Sequence, residues 1–456
     1  MSATGTPNHL VVVGGGITGL AAGYLAAKAG WRVDVLEAGP HFGGLLGTFP
    51  VGGDRLEFFY HHHFTHDAEL RWLLDELGLA SRLRFHDSRV GVFRDGRIYQ
   101  FGTPADLLRF APMRFPDKVR FALSSAYLGH LASWERTEGI PAYEWFERWA
   151  GQSAADSVWL PLLNIKFGPY ARQVPLAWMV GRLRQRMRSR SGGGERLGYL
   201  DGSLDVLLQA LLSRLKDMGV GMHPQCPVEA LEIDGGTLHA LIAGRRRFEG
   251  GAFLFTVPVP VLPPLVRDHD AEYARSLESI EYFGAVCVVL EMDRRLSSIY
   301  WLNVADPGFP FGGVIEHTNL VGTERYGGIH LAYLSRYVHL ADPLMSLPAA
   351  EAIEQMVGPL ARIYPAFRRE HVLRAHVFRS RTAATVCDLH FSRRVPSCRA
   401  PVANMFLAGM PHVYPDERSC SNSIRVAAEA CGVIGCLSDE VPVGGGLSGR
   451  IGFDRG

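Results

Sequence analysis

The chain reads as an α/β protein: a Rossmann-like dinucleotide-binding layer interleaved with a mixed-sheet domain and a helical subdomain. Three observations predict this. A strand, glycine turn, helix and second strand run in order from His9 to Glu37. The stretch from Pro104 to about Arg190 has a helical pattern rich in aromatics and arginine. Strand-like apolar runs return at Glu281 to Leu290 and Ile329 to Tyr337.

The first observation carries most of the chemistry. Leu10 to Val13 is a continuous apolar run of the kind that forms a buried parallel strand. Gly14, Gly16 and Gly19 follow as G-x-G-x-x-G. Gly14 permits the tight turn, Gly16 lets the main chain approach a pyrophosphate, and Gly19 lets the helix sit close to the strand. The helix start, including Ile17 and Thr18, offers free N–H groups and the positive end of the dipole to phosphates. A second strand, Arg32 to Leu36, ends on Glu37, where an acid accepts hydrogen bonds from an adenosine ribose. A bound dinucleotide is expected, and the motif alone does not separate FAD from NAD.

Composition narrows the class. A chain of 456 residues can bury two sizeable cores. Its 47 basic and 46 acidic residues give no global charge suited to nucleic acid. Seven scattered cysteines form neither a disulfide framework nor a metal knuckle. Reduced thiols in the cytoplasm are expected, with Cys387 and Cys398 as remote candidates for a covalent flavin link. The apolar run from Leu10 to Ala27 holds three consecutive glycines and splits into strand and helix, which argues against a membrane span and a signal peptide.

Further elements follow in order. Glu69 to Gly78 has helical spacing with a glycine stop. Arg89 to Phe101 alternates around Asp95-Gly96, a hairpin signal. Leu200 to Leu215 is an amphipathic helix with Ser203 as its expected cap. The first eight residues and the glycine-rich end from Gly444 are expected to be disordered.

After Glu37 comes Ala38, a short linker, and Gly43-Gly44-Leu45-Leu46-Gly47-Thr48. This resembles the flavin signature of the amine oxidase and protoporphyrinogen oxidase clan, which includes UDP-galactopyranose mutase. Phe58 to Asp67, with His62 two residues before Phe64, resembles the mutase-like branch. Pro227 to Ile233 and Gly251 to Pro258 resemble the clan's returning strands, and Asn404 to Pro411 with Ser421 to Ala430 its closing strand and helix. The resemblance implies FAD as cofactor. It implies flavin contacts from Gly43, Gly44, Leu45, His62, Gly409, Met410 and Ser423, and an adenine contact from the Val228 main chain. Two positions depart from the clan: Leu45 stands where an arginine commonly follows the glycines, and Met410 where an acid follows Ala-Gly.

Candidate chemistry gathers at three places. In an extended strand His61 and His63 share one side and His62 the other. No cysteine or carboxylate spacing completes a metal site there, and none is expected. Glu316 and His317 sit within an apolar strand pattern, open either to ligand use, with the imidazole as general base, or to a strand-end turn facing solvent. Arginines recur at 182, 184, 186, 188 and 190. A solvated basic loop is the favoured reading. A phosphate clamp built on Arg182 and Arg184 is the alternative, with Arg336 and Tyr414 as further substrate contacts. The mixed basic and apolar stretch from Phe110 to Trp134 is a core helix or an element of peripheral membrane contact.

The expected architecture is thus a Rossmann-like FAD-binding domain from residues 1–103, 196–265 and 386–440, interleaved with a helical subdomain (104–195) and a mixed-sheet substrate domain (266–385), ending in a flexible tail (441–456). The expected function is an FAD-dependent oxidoreductase taking hydride from a small-molecule C–H bond onto flavin N5, the substrate being a candidate phosphate carrier. A redox-neutral nucleotide-sugar mutase is the first alternative. A non-catalytic FAD-binding protein, suggested by Leu45 and Met410, is the second.

Overall fold

The computed structural model describes residues 8–191, 194–438, 441–442 and 451–453. Its first layer is a five-stranded parallel sheet. In spatial order the strands are Gly221–His223, Arg32–Leu36, His9–Val13, Ala252–Phe255 and Met405–Leu407. His9–Val13 lies at the centre and is wholly buried: Leu10 and Val12 pack toward the helices on one face, and Val11 and Val13 toward Leu231, Leu238 and Leu241 of the antiparallel strands Ala230–Asp234 and Thr237–Ala243 on the other. The glycine helix Ile17–Lys28 packs on this sheet beside the closing helix Cys420–Ile434. Three separated parts of the chain therefore build one dinucleotide layer.

The second layer is a seven-stranded sheet: Val372–Thr385, Tyr282–Met292, His330–Val338, Gly313–Glu316, Trp301–Val304, Val90–Arg94 and Arg97–Gln100. Every neighbouring pair is antiparallel except Trp301–Val304 with Val90–Arg94. The hairpin at Arg94–Arg97 forms as its Asp-Gly turn demands, with positive φ at both Asp95 and Gly96. It corrects one assignment, since this hairpin belongs to the second sheet and not to the dinucleotide layer in which 1–103 was placed. Alternation shows only that the hairpin has one buried face, and either sheet could supply the cover.

Helices fill the stretch between, from Pro104–Arg109 through Phe115–His130 and Ala142–Trp149 to Leu160–Phe167 and Leu176–Arg188. The expected basic loop is instead the end of a helix, because Leu176–Arg188 buries Leu176 to Arg182. The cap expected at Ser203 also differs. Gly202 precedes the helix Ser203–Asp217 in a left-handed conformation, and the Glu57 carboxylate accepts from the Leu204 N–H at 2.8 Å. Part of the expected tail is packed: Phe453 is buried against His412, with ring centres 5.0 Å apart. Residues 1–7, 443–450 and 454–456 of the segments expected to be disordered lie outside the described residues.

Candidate active site

The glycines meet the three demands placed on them. Gly14 has φ +111°, and a Cβ there would meet Thr256 Oγ1 at 2.7 Å. A Cβ on Gly19 would sit 2.0 Å from the Gly14 carbonyl oxygen, so only glycine lets this helix approach its strand. Gly16 is different: a Cβ there meets no heavy atom within 4 Å. The space beside Gly16 is therefore not needed by the fold. No side chain caps the helix it begins, and no acid lies in the first turn of Ile17, Thr18 and Gly19. A cradle with bare helix N–H groups and room at one glycine fits a pyrophosphate.

The rest of the dinucleotide track assembles around it. The Glu37 carboxylate accepts from the Gly15 N–H at 2.8 Å and the Gly39 N–H at 2.7 Å, one on each oxygen. Each oxygen keeps a second lone pair for a ribose hydroxyl. Ala38 lies between these anchors. The Cys226 N–H donates to the Glu37 carbonyl, which carries the Val228 segment alongside this end. Gly43 has φ +118°, donates its N–H to the Gly15 carbonyl and bridges Gly16. The turn Gly44–Leu46, with Leu45, thus lies against the cradle. Gly409 and Met410 follow the strand Met405–Leu407, where the Gly409 N–H donates to His412 Nδ1 at 3.1 Å. Ser423 lies in the first turn of the closing helix, whose cap is Ser419.

A second cluster lies where the arginine helix Leu176–Arg188 and the helix Leu160–Phe167 face the seven-stranded sheet. A cleft there is lined by Tyr60, Lys166, Arg182, Trp301, Asn303 and Tyr337, among others. Lys166 and Arg182 both pair with Glu417, the former at 3.2 Å. Arg186 holds Glu195 with both carboxylate oxygens within 2.9 Å. Arg418 donates to the Tyr337 hydroxyl at 2.7 Å. Burial pushes the Lys166 ammonium and the Arg182 guanidinium down. Burial also opposes ionisation of Glu417 and Tyr337. Arg182 and Lys166 nevertheless hold the Glu417 carboxyl well below its usual range, and Arg418 with Lys166 lowers the Tyr337 phenol.

His62 stands beside this cleft. Its ring packs against Phe64 and Trp301, and its Nδ1 lies 3.3 Å from the Tyr300 hydroxyl. Burial, aided by Arg186, lowers it to about 3, so the imidazole is neutral. His61 and His63 are lowered to about 4 and about 3, chiefly by burial. Only His63 and Phe64 of the histidine segment are in strand, so the face alternation expected across His61 to His63 does not hold.

Five sequence candidates fall elsewhere. Glu316 is turned to the loop before it, accepting from the Leu296 N–H at 2.8 Å and the Ser297 N–H at 3.1 Å, and from the Ser297 hydroxyl. Its carboxylate is consumed in holding that loop. His317 bonds the Tyr326 hydroxyl at 2.9 Å in a nest of tyrosines and is lowered to about 3 by burial; the solvent-facing reading of this pair does not hold. Arg336 points away from the cleft, because Ser335 and Tyr337 line it and side chains alternate along a strand; it pairs with Asp342 at 3.6 Å. Tyr414 is buried between Trp134 and Phe391 in the core. Arg184, the fifth departure, donates to the Ala132 carbonyl rather than entering the cleft. Of the proposed substrate residues only Arg182 lines it.

The reading of the sequence missed Lys166, Glu417, Arg418, Tyr337 and Tyr60. One signal was available: the charged pair Glu417-Arg418 directly precedes an apolar closing helix, an unusual place for charge unless it has a partner inside.

A glycine cradle, a ribose-binding carboxylate and a charged cleft beside a buried histidine define a dinucleotide-binding redox fold. The model of the family of flavin containing amine oxidoreductases matches residues 17–414, and the chain belongs to that family. FAD is therefore its cofactor. Coproporphyrinogen III oxidase of Propionibacterium freudenreichii subsp. freudenreichii is 34% identical over 128 residues, 25% of this chain and 24% of that protein. The enzyme of that name from Mycobacterium tuberculosis (strain ATCC 25618 / H37Rv) is 27% identical over 287 residues, 57% of this chain and 61% of that protein. These matches span less than two thirds of either relative. The crystal structure of reduced UDP-galactopyranose mutase superposes with a TM-score of 0.75 at 15% identity, covering 98% of this chain and 97% of that one. The last is a likeness of fold. Among the described residues no helix is long and apolar enough to cross a membrane.

Proposed function

We propose that the chain oxidises a C–H bond of an anionic small molecule held between the helices Leu160–Phe167 and Leu176–Arg188 and the seven-stranded sheet. The observation that carries this is the cleft charge. Among the described residues, Lys166, Arg182 and Arg186 share two carboxylates, Glu195 and Glu417, and Arg418 donates to the Tyr337 hydroxyl. Of these four cations Arg182 is buried and Lys166 and Arg186 half-buried, and cations in excess at such a site are costly unless an anion completes them. A phosphate or carboxylate on the substrate would do so, and Arg182 and Lys166 would hold it.

Gly14 to Gly19 would seat the diphosphate of FAD, Glu37 its ribose, and Gly43 to Leu45 with His62 the region near its ring. When bound, FAD supplies a two-electron acceptor for hydride from carbon. The chain's own part is positioning. Tyr60 and Trp301 meet edge to face at 4.8 Å and give the cleft a rigid aromatic wall. His62, lowered to about 3 by burial, is a weak base at ordinary pH, so its uncharged ring would pack against the bound group rather than take up a proton. The seven buried, unpaired cysteines support a reducing compartment, the cytoplasm, as the place of action.

The cation excess favours one second reading, a redox-neutral nucleotide-sugar mutase. The two separate cleanly. An oxidase bleaches its own yellow colour when substrate is added without air, and consumes oxygen when air is admitted. A mutase acts only after prior reduction and binds a nucleoside diphosphate tightly while oxidised. Absence of both bleaching and turnover across carboxylate- and phosphate-bearing candidates would defeat the oxidase reading.

A further inference from the structure

The helix Phe115–His130 buries polar groups beside apolar ones: Asp117, Lys118, Ser124 and Ser125 accompany Leu128 and Gly129 on its inner side. The Asp117 carboxylate is bonded by the Ser153 hydroxyl at 2.7 Å, Lys118 donates to the Leu108 carbonyl at 2.6 Å, and Ser124 to the Phe121 carbonyl at 3.1 Å. Its outer side carries Phe115, Val119, Leu123 and Tyr127, continued by Leu131, at a spacing of four residues. These five are between 46% and 76% exposed. That spacing places them in one stripe along the helix. Nine large apolar side chains are exposed among the described residues, and seven belong to this region, Leu108 and Trp149 completing it. Scattered exposed apolar residues are ordinary, but a concentrated stripe on the outer side of one helix needs a covering.

The rim indicates what covers it. Arg109, Arg114, Arg120 and Arg148 are exposed around the stripe. Arg120 reaches the Trp149 carbonyl at 3.2 Å, and the Arg148 guanidinium lies 5.4 Å from the Trp149 ring centre. The nearby acids of the same segment are engaged, Asp106 by the Gly102 and Thr103 N–H groups and Asp117 by Ser153 and, at 3.4 Å, by Arg120 of the rim. Glu144 and Glu147 lie on the adjoining helix Ala142–Trp149. An apolar stripe with aromatic ends and an arginine border suits the boundary between acyl chains and anionic headgroups. A second copy fits less well, because two-fold pairing would bring one arginine border against another.

We propose that Phe115–His130, with Leu108, Leu131 and Trp149, docks the enzyme in the plane of an anionic lipid bilayer. The surface is separate from the cleft, so the oxidase reading and this one stand or fall independently. The test is flotation of the FAD-loaded protein with vesicles of phosphatidylcholine alone or mixed equally with phosphatidylglycerol. The wild type should float with the mixed vesicles, and high salt or phosphatidylcholine alone should weaken this about tenfold. Leu123→Glu with Leu131→Glu should lower flotation at least about tenfold, with flavin absorbance and melting temperature unchanged. Arg109→Glu with Arg114→Glu should weaken binding to the mixed vesicles only. Wild-type protein that stays at the bottom with both compositions overturns the proposal. So does a Leu123→Glu, Leu131→Glu variant that floats like wild type. A wild-type dimer that this variant splits, with no flotation of either, would mean that a second copy covers the stripe and would equally overturn it.

Discussion

Gly16 and Gly19 are three residues apart and fail for opposite reasons when enlarged. A side chain at Gly19 enters the Gly14 carbonyl, whereas one at Gly16 enters empty space. Gly16→Val should therefore leave the unfolding midpoint of the apoprotein nearly unchanged while abolishing the visible flavin spectrum. Gly19→Val should lower the midpoint of the apoprotein itself, by about 2 kcal/mol or more from overpacking. Equal destabilisation by both changes would remove the claim that Gly16 is reserved for a ligand. These glycines were legible in the sequence because their constraint is local: turn, helix start and strand lie within one short run. Arg336 and Tyr414 were not, since their roles depend on which face of a strand or core they occupy, and strand phase follows from partners remote in sequence.

The same contrast holds for whole elements. The arginines spaced by two suggested an extended or loose segment, yet the helix Leu176–Arg188 turns Arg182 and Arg186 to buried carboxylates and leaves Arg184 on a backbone carbonyl. At 100° per residue, positions 182 and 186 share a side and 184 does not. Apolar Leu176 to Val180 fixes the helix and thereby the arginines' phase, which charge spacing alone could not give. Arg182→Met should cost about 2 kcal/mol or more in denaturant unfolding, because Glu417 keeps Lys166 but loses its charged hydrogen bond from the guanidinium. Arg184→Ala should cost only about 1 kcal/mol, one hydrogen bond to a carbonyl. The strand His330–Val338 gives a kinetic counterpart, with Tyr337 toward the cleft and Arg336 away. Once a substrate is in hand, Lys166→Met should raise its KM about tenfold or more, and Arg336→Ala should change it less than about twofold. A large KM effect from Arg336 would mean that the anion lies on the other face of the sheet.

Across the whole molecule, interleaving puts the joint between layers where the histidines and charged groups gather, and the buried imidazoles there give folding a pH dependence. Burial lowers His62, His63 and His317 to about 3 and His61, His66 and His412 to about 4. Unfolded, each would titrate near 6.5. Below that value the unfolded chain binds protons that the fold refuses, so stability is full above about pH 6.5 and declines as pH falls. Glu57 and Asp67, raised by burial to about 7, act the other way: their contribution is present below the ordinary carboxylate range and is lost as pH rises through 7. Six imidazoles outweigh two carboxyls, so the FAD-loaded protein should melt at lower temperature at pH 5 than at pH 7. His317 isolates the effect, since its Nε2 meets only the Tyr326 hydroxyl among hydrogen-bonding groups and it is not a cleft residue. His317→Gln keeps a partner for that hydroxyl and removes the titration. Between pH 7 and 5 the wild type should lose about 2 kcal/mol more than this variant. Equal losses in the two proteins would show that the fold admits a proton at His317, and the acid sensitivity would then have to arise at other groups.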